Sequence, residues 1–126
     1  MKTNLMACRS AGVLLHPSSL PGDSYCGNLG ADARRFADLL AAAGLQIWQV
    51  LPLGPTHADG CPYQLMSVHA GNTDLIDLQW LVQQGWLTQR AADAGRHTPA
   101  AKRLALDLAS TAFFNALQTA ADSPMV

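Results

Sequence analysis

Two short apolar runs, Gly12-Val13-Leu14-Leu15 and Ile47-Trp48-Gln49-Val50-Leu51, bracket one amphipathic stretch, and each stops against a proline. The first ends at His16-Pro17. The second ends at Pro52, which has no N–H to continue a ladder. Runs this short suit strands buried on both faces, as in parallel sheets. Between them Ala33, Phe36, Ala37 and Leu40 recur at helical spacing and form one apolar stripe, which predicts a helix from Ala31 to Ala43. Asp32 lies in its first turn, where negative charge suits the helix dipole. Gly44 follows as the residue that tolerates positive φ after a helix. Strand, helix, strand in this order predicts a right-handed βαβ unit with parallel strands, hence an α/β fold.

The rest of the chain is mostly loop and helix. Pro17 to Gly30 reads as a loop, long for a βα connection, and long loops in compact domains are often functional. Pro62 can open a short helix running to about Ala70, stopped by Gly71-Asn72. Leu75, Ile76 and Leu78 form a brief apolar segment. Residues 79–84 predict a short helix closed by Gly85, and residues 88–97 a polar connection. Thr98-Pro99 supplies an N-cap and first-turn pair for a long helix to about Ala121. Leu104, Leu108, Phe113 and Leu117 are its expected buried residues, and Asp122-Ser123-Pro124 its stop. Only two strands emerge. A parallel pair alone has two open edges and too little sheet for its helices to cover. The chain therefore reads as the beginning of a larger α/β domain.

Composition narrows the function classes. The chain has 126 residues, 49% hydrophobic and 13% charged, with a net charge of -1. This is a globular composition and offers no reason to expect nucleic acid or an anionic membrane as partner. Cys8, Cys26 and Cys61 lack CxxC spacing, which argues against a disulfide framework or structural zinc and suits a reducing cytoplasm. Leu5-Met6-Ala7-Cys8 resembles a lipoprotein cleavage box, but too few residues precede Cys8 for an apolar signal core. His16, His57, His69 and His97 share no helix face at ligand spacing. Gly54-Pro55-Thr56 has neither the spacing nor the lysine of a phosphate loop, and no G-x-S-x-G elbow occurs. No metal or organic cofactor is implied. The acidic residues are all aspartate, with no glutamate anywhere.

The segment after the second strand is the candidate binding region, because loops leaving the C-terminal ends of strands hold ligands in α/β proteins. It runs through His57-Ala58-Asp59-Gly60-Cys61-Pro62-Tyr63-Gln64. Tyr63 beside Gln64 pairs an aromatic face with an amide, which suits the apolar C–H face and hydroxyl rim of a sugar. Tyr63 as a packing residue at a helix start is the other reading. Cys61 reads as a small residue filling a turn before Pro62 rather than as a nucleophile. Mid-strand Trp48 reads as core.

These motifs together resemble the N-terminal part of the bacterial 4-alpha-glucanotransferases, also called amylomaltases or disproportionating enzymes (glycoside hydrolase family 77). The resemblance rests on Gly12-Val13-Leu14-Leu15-His16-Pro17-Ser18-Ser19-Leu20-Pro21-Gly22 and Gly27-Asn28-Leu29-Gly30. It continues through Trp48-Gln49-Val50-Leu51-Pro52-Leu53-Gly54-Pro55-Thr56, Pro62-Tyr63-Gln64, Ala70-Gly71-Asn72 and Leu75-Ile76-Asp77-Leu78. It covers residues 9–87 and weakens beyond. It implies that residues 12–16 and 47–51 are the first two strands of a (β/α)8 TIM-type barrel, incomplete in this chain. It also implies transfer of a segment of 1,4-alpha-glucan to the 4-hydroxyl of an acceptor sugar, with retention through an aspartate nucleophile and a glutamate acid/base. Tyr63 matches the family tyrosine lining the donor-sugar site, with Gln64, Asp59 and Cys61 at the same rim. Cys61 stands where serine is usual, and Thr73 where proline is usual.

The resemblance implies no catalytic residue here, since the family's three carboxylates come from later strands and the chain has no glutamate. Residues 1–8 are expected to be a leader, 9–87 barrel and 88–126 the start of an inserted subdomain. The chain is expected to be an N-terminal portion of a cytoplasmic enzyme, by truncation, gene splitting or incomplete sequence, and inactive alone. Its partners would be alpha-1,4-glucans and the missing barrel portion. The alternative is a non-catalytic glucan-binding or interaction module.

Overall fold

The computed structural model describes residues 9–121. The expected leader (1–8) and the helix stop at Asp122-Ser123-Pro124 lie outside the described residues. The chain divides into two compact units: one holds the chain up to Gly22 and Cys26–Ile76, the other Asp23–Tyr25 and the chain from Asp77 onward.

The first unit is a small α/β piece. Strand β1 (Gly12–Leu14), helix α1 (Ala31–Ala42) and strand β2 (Ile47–Gln49) follow in order. The strands pair in parallel, Gly12 with Ile47, Val13 with Trp48 and Leu14 with Gln49. Helix α1 carries Asp32 in its first turn, and Gly44 follows at φ 75°. Ala33 and Leu40 are buried and Phe36 is half-buried, while Ala37 faces out. Phe36 meets Trp48 edge to face with centroids 4.9 Å apart, a favourable arrangement of aromatic quadrupoles.

Three expectations fail in this unit. The strands are not buried on both faces: Leu14 is 52% exposed, and Ile47 and Val50 are also exposed. With only two strands described, neither edge has a neighbour and little covers the faces. The strands are also shorter than the runs that encode them. No helix follows Pro62. The backbone there turns back on the preceding segment, and the Met66 N–H bonds the Pro55 carbonyl at 2.8 Å instead of a helical carbonyl.

The second unit is helical: α2 (Leu78–Gln83), α3 (Gln89–Gly95) and α4 (Pro99–Ala121). The Asp77 carboxylate caps α2 through the Gln79 N–H, and the Thr98 hydroxyl caps α4 through the Ala101 N–H. Residues 88–97 are not simply a polar connection. The Thr88 hydroxyl accepts from the Ala91 N–H and starts α3, as N-cap threonines do. The core is Leu78, Leu81, Leu87, Ala92, Ala105 and Ala109. Trp86 lies edge to face with Trp80 and with Phe113.

The buried residues expected on α4 are also corrected. Leu104 is 64% exposed, Leu108 and Leu117 are exposed too, and Phe113 alone of the four is half-buried. The buried face of α4 holds Lys102, Ala105 and Ala109, and beside Gly95 helix α3 comes too close for a leucine. A Cβ on Gly95 would lie 2.6 Å from a Leu78 methyl and 3.2 Å from the Ala105 Cβ. No helix among the described residues is long and apolar enough to cross a membrane.

Candidate functional site

Beyond β2 the chain leaves the strand pair at Pro52 and returns at Asn72, closing a loop with a built neck. The Asn72 N–H bonds the Leu53 carbonyl at 3.0 Å, and Met66 bonds Pro55 as above. Thr56 and Leu65 form an antiparallel bridge above them. Gly54 is required here. A Cβ at this position would run into the Ser67 carbonyl and lie 3.1 Å from a Leu65 methyl. The Ser67 hydroxyl in turn accepts from the N–H groups of His69 and Ala70, each at 3.2 Å. The neck is thus made of backbone pairs and one serine, a rigid base for what it carries.

The tip is a series of turns. The Gly60 N–H bonds the His57 carbonyl at 2.9 Å, and the Gln64 N–H bonds the Cys61 carbonyl at 3.2 Å. The Asp59 carboxylate accepts from the Cys61 N–H at 3.1 Å, an Asx turn. These bonds link Asp59 to Cys61 and Cys61 to Gln64, with Tyr63 inside the second turn, so the four candidate residues stand in consecutive turns. Tyr63 stands 76% exposed and Gln64 is exposed beside it, while Cys61 is half-buried with a free thiol. Tyr63 is therefore not a packing residue at a helix start. One oxygen of the Asp59 carboxylate is committed to this turn.

The root of the loop is tied to the end of β1. The Leu15 N–H bonds the Gln49 carbonyl at 3.0 Å, and the Trp48 indole N–H bonds the Leu15 carbonyl at 2.8 Å. His16 is 6% exposed. Its Nδ1 lies 2.7 Å from the Ser18 hydroxyl and accepts from the Ser18 N–H at 3.3 Å, capping a single 3-10 turn at Pro17–Ser19. Burial lowers its pKa below the usual histidine value, and the Pro52 backbone opposes this more weakly. The sequence marks His16 as the end of a strand and gives it no metal-ligand partner on a shared helix face. The signal was present: a histidine two residues before a serine, at the mouth of a strand, has capping spacing. Among the described residues no group of three or more His, Cys or Asp side chains is placed to hold a metal.

A profile of glycoside hydrolase family 77, described as 4-alpha-glucanotransferase, matches residues 15–124 and so spans the whole loop. The chain belongs to the 4-alpha-glucanotransferase family. Named relatives agree. The 4-alpha-glucanotransferase of Thermus thermophilus is 51% identical over 87 residues, which is 69% of this chain and 17% of that protein. That of Streptococcus pneumoniae serotype 4 is 49% identical over 82 residues, 65% of this chain and 16% of the relative. The chloroplastic/amyloplastic enzyme of Solanum tuberosum is 48% identical over 83 residues, 63% of this chain and 14% of the relative. Among solved structures, an amylomaltase from Streptococcus agalactiae in complex with acarbose superposes with a TM-score of 0.77 at 34% identity. The match covers 86% of this chain and 24% of that one. The chain thus spans less than a fifth of the length of these curated 4-alpha-glucanotransferases.

Proposed function

We propose that this chain forms the donor-sugar wall of a 4-alpha-glucanotransferase, with Tyr63 as the stacking platform and Gln64, Asp59 and Cys61 at its rim. The reaction would move a segment of 1,4-alpha-glucan to the 4-hydroxyl of an acceptor sugar, with retention. An aspartate attacks the anomeric carbon while a glutamic acid protonates the departing oxygen. The resulting carboxylate then takes the acceptor hydroxyl's proton as that oxygen displaces the aspartate. These 126 residues contain no glutamate, so the acid/base must come from elsewhere and no catalytic residue is assigned here.

The family match across residues 15–124 carries this reading, and the exposed Tyr63 on its hydrogen-bonded loop supports it. Residues 9–87 would be the first part of a (β/α)8 barrel and residues 88–126 the start of an inserted subdomain. The open edges of β1 and β2 and the exposed Leu14, Ile47 and Val50 would be covered by the remaining barrel, within the cytoplasm. Incubation with maltotriose tests the chemistry. The chain alone should release no glucose and no longer maltodextrins, and their appearance would sink the assignment of the acid/base elsewhere.

A second reading, a non-catalytic glucan-binding module, draws on one observation: the loop's neck and tip are built entirely within one unit. Calorimetric titration with maltodextrins decides it. Absence of heat at millimolar sugar from a folded sample excludes it.

A further inference from the structure

His16 stands where the chain leaves β1, and the loop that starts there comes back to the turn beside it. The ring is buried and unused by the proposed chemistry. Its Nδ1 accepts from the Ser18 N–H at 3.3 Å and lies 2.7 Å from the Ser18 hydroxyl. A backbone N–H can only donate, so the neutral ring keeps a lone pair on Nδ1 and carries its hydrogen on Nε2. Ser18 is bonded on its other side as well. Its carbonyl accepts from the Gly27 N–H at 3.0 Å, in the returning half of the same loop. The Ser19 and Leu20 N–H groups bond the His16 and Pro17 carbonyls at 2.9 and 3.1 Å and close the 3-10 turn between them. Gly27 is pressed onto that turn. A Cβ there would run into the Pro17 carbonyl and lie 2.9 Å from the Leu20 nitrogen. The 17–30 loop is thus closed at its neck through Ser18, with the His16 ring on one side and Gly27 on the other.

This closure depends on the charge of the ring. A proton on Nδ1 ends its role as acceptor. The new Nδ1–H can donate to the Ser18 hydroxyl, but the Ser18 N–H then has no acceptor on the ring, and a cation is buried. Pro17, Ser18 and Ser19 in the capped turn carry no ionisable group, and neither does the Pro52 backbone that acts on the ring. We propose that His16, Ser18 and Gly27 form a proton-sensitive latch on the loop leaving β1, closed while the ring is neutral and released when Nδ1 takes up a proton. Strands β1 and β2 are parallel, so this loop and the Tyr63 loop leave the same end of the pair, the end that holds ligands in α/β proteins. Any effect of release on sugar binding rests on the function proposed above, but the latch does not.

Amide hydrogen exchange on the full chain, expressed as protection so that the intrinsic pH dependence of exchange cancels, tests it. As pH falls from neutral through the titration of the ring, protection at Ser18 and Gly27 should drop by about tenfold, the size of one net hydrogen bond. That drop should exceed any change at Leu40 in α1 and at Ala105 in α4. Nitrogen-15 spectra follow the ring itself. At neutral pH the proton must sit on Nε2, and the ring's midpoint must coincide with the loss of protection at Gly27. In His16→Asn the amide oxygen can accept from the Ser18 N–H and takes up no proton, so the pH-dependent loss should vanish. A proton on Nδ1 at neutral pH, protection at Gly27 that ignores the ring's titration, an equal loss throughout the chain, or a loss retained in His16→Asn would overturn the proposal. The wild-type measurements decide it even where His16→Asn fails to fold. None of these readouts needs bound sugar. Failure here is therefore distinguishable from failure of the Tyr63 assignment, which maltodextrin titration of Tyr63→Ala measures.

Discussion

The indole N–H of Trp48 points across the strand pair to the Leu15 carbonyl at 2.8 Å. That bond holds β2 to the end of β1 beyond the last ladder residue, Leu14. Trp48→Phe keeps an aromatic ring facing Phe36 and removes the indole N–H together with part of the bicyclic ring. It should cost at least about 1 kcal/mol of stability, the usual worth of a neutral hydrogen bond, with the lost apolar area added. Urea denaturation of the two proteins checks this. Equal midpoints would show that the bond contributes nothing.

Gly54→Ala places a methyl against the Ser67 carbonyl, a backbone group that cannot swing aside. The neck must open, at a cost on the order of 1–3 kcal/mol. The loss should show as faster hydrogen exchange at Asn72 and Met66, with the α4 amides unaffected.

Tyr63→Ala separates binding from folding. The side chain is 76% exposed, so thermal stability should change by no more than about 0.5 kcal/mol. Any maltodextrin affinity should disappear. A large stability loss would mean that the ring packs against the chain instead of offering its face to a sugar.

His16 makes stability depend on pH. Its folded pKa is lowered by burial, so the fold favours the neutral ring and the unfolded chain binds more protons. Its stabilising contribution is complete above about pH 6.5, shrinks as pH falls toward the folded value, and is lost below it. Denaturation midpoints for wild type should therefore drop through this window. His16→Gln, which does not titrate, should show a flatter profile.

The face that α4 turns inward predicts an inverted mutational pattern. Leu104→Ser and Leu108→Ser should each change stability by no more than about 0.5 kcal/mol. Ala109→Leu, at a buried position, should cost roughly 1–3 kcal/mol through overpacking. Chemical denaturation of the three variants tests this, and a reversed order would refute the observed packing.

Sequence periodicity identified β1, α1 and β2 because each carries a signal of its own: an apolar run, a 3.6-residue stripe and a glycine stop. The same reasoning misplaced the leucines of α4, since residue size says nothing about how near a neighbouring helix lies. Gly95, Ala105 and Ala109 show that this contact is made by small residues. Helix α3 carries no apolar stripe in the sequence because it holds only polar residues, alanines and a glycine, and only the Thr88 cap marks its start. Pro62 misled for another reason: proline fits a turn as readily as a first helical position, and the long return to Pro55 and Leu53 decides between them. Asp59, Cys61, Tyr63 and Gln64 are close in sequence, so their sharing one loop was legible. The neck that holds the loop was not, because it is made of backbone bonds that no side-chain pattern encodes.

The Leu53–Asn72 neck also bears on the order of folding. It joins positions far closer along the chain than the Gly12–Ile47 strand pairing does, so its closure gives up less chain freedom. Contacts of short sequence separation form faster than distant ones. The loop can therefore assemble on its own timescale, ahead of the parallel pair, and meet the end of β1 as a preformed piece.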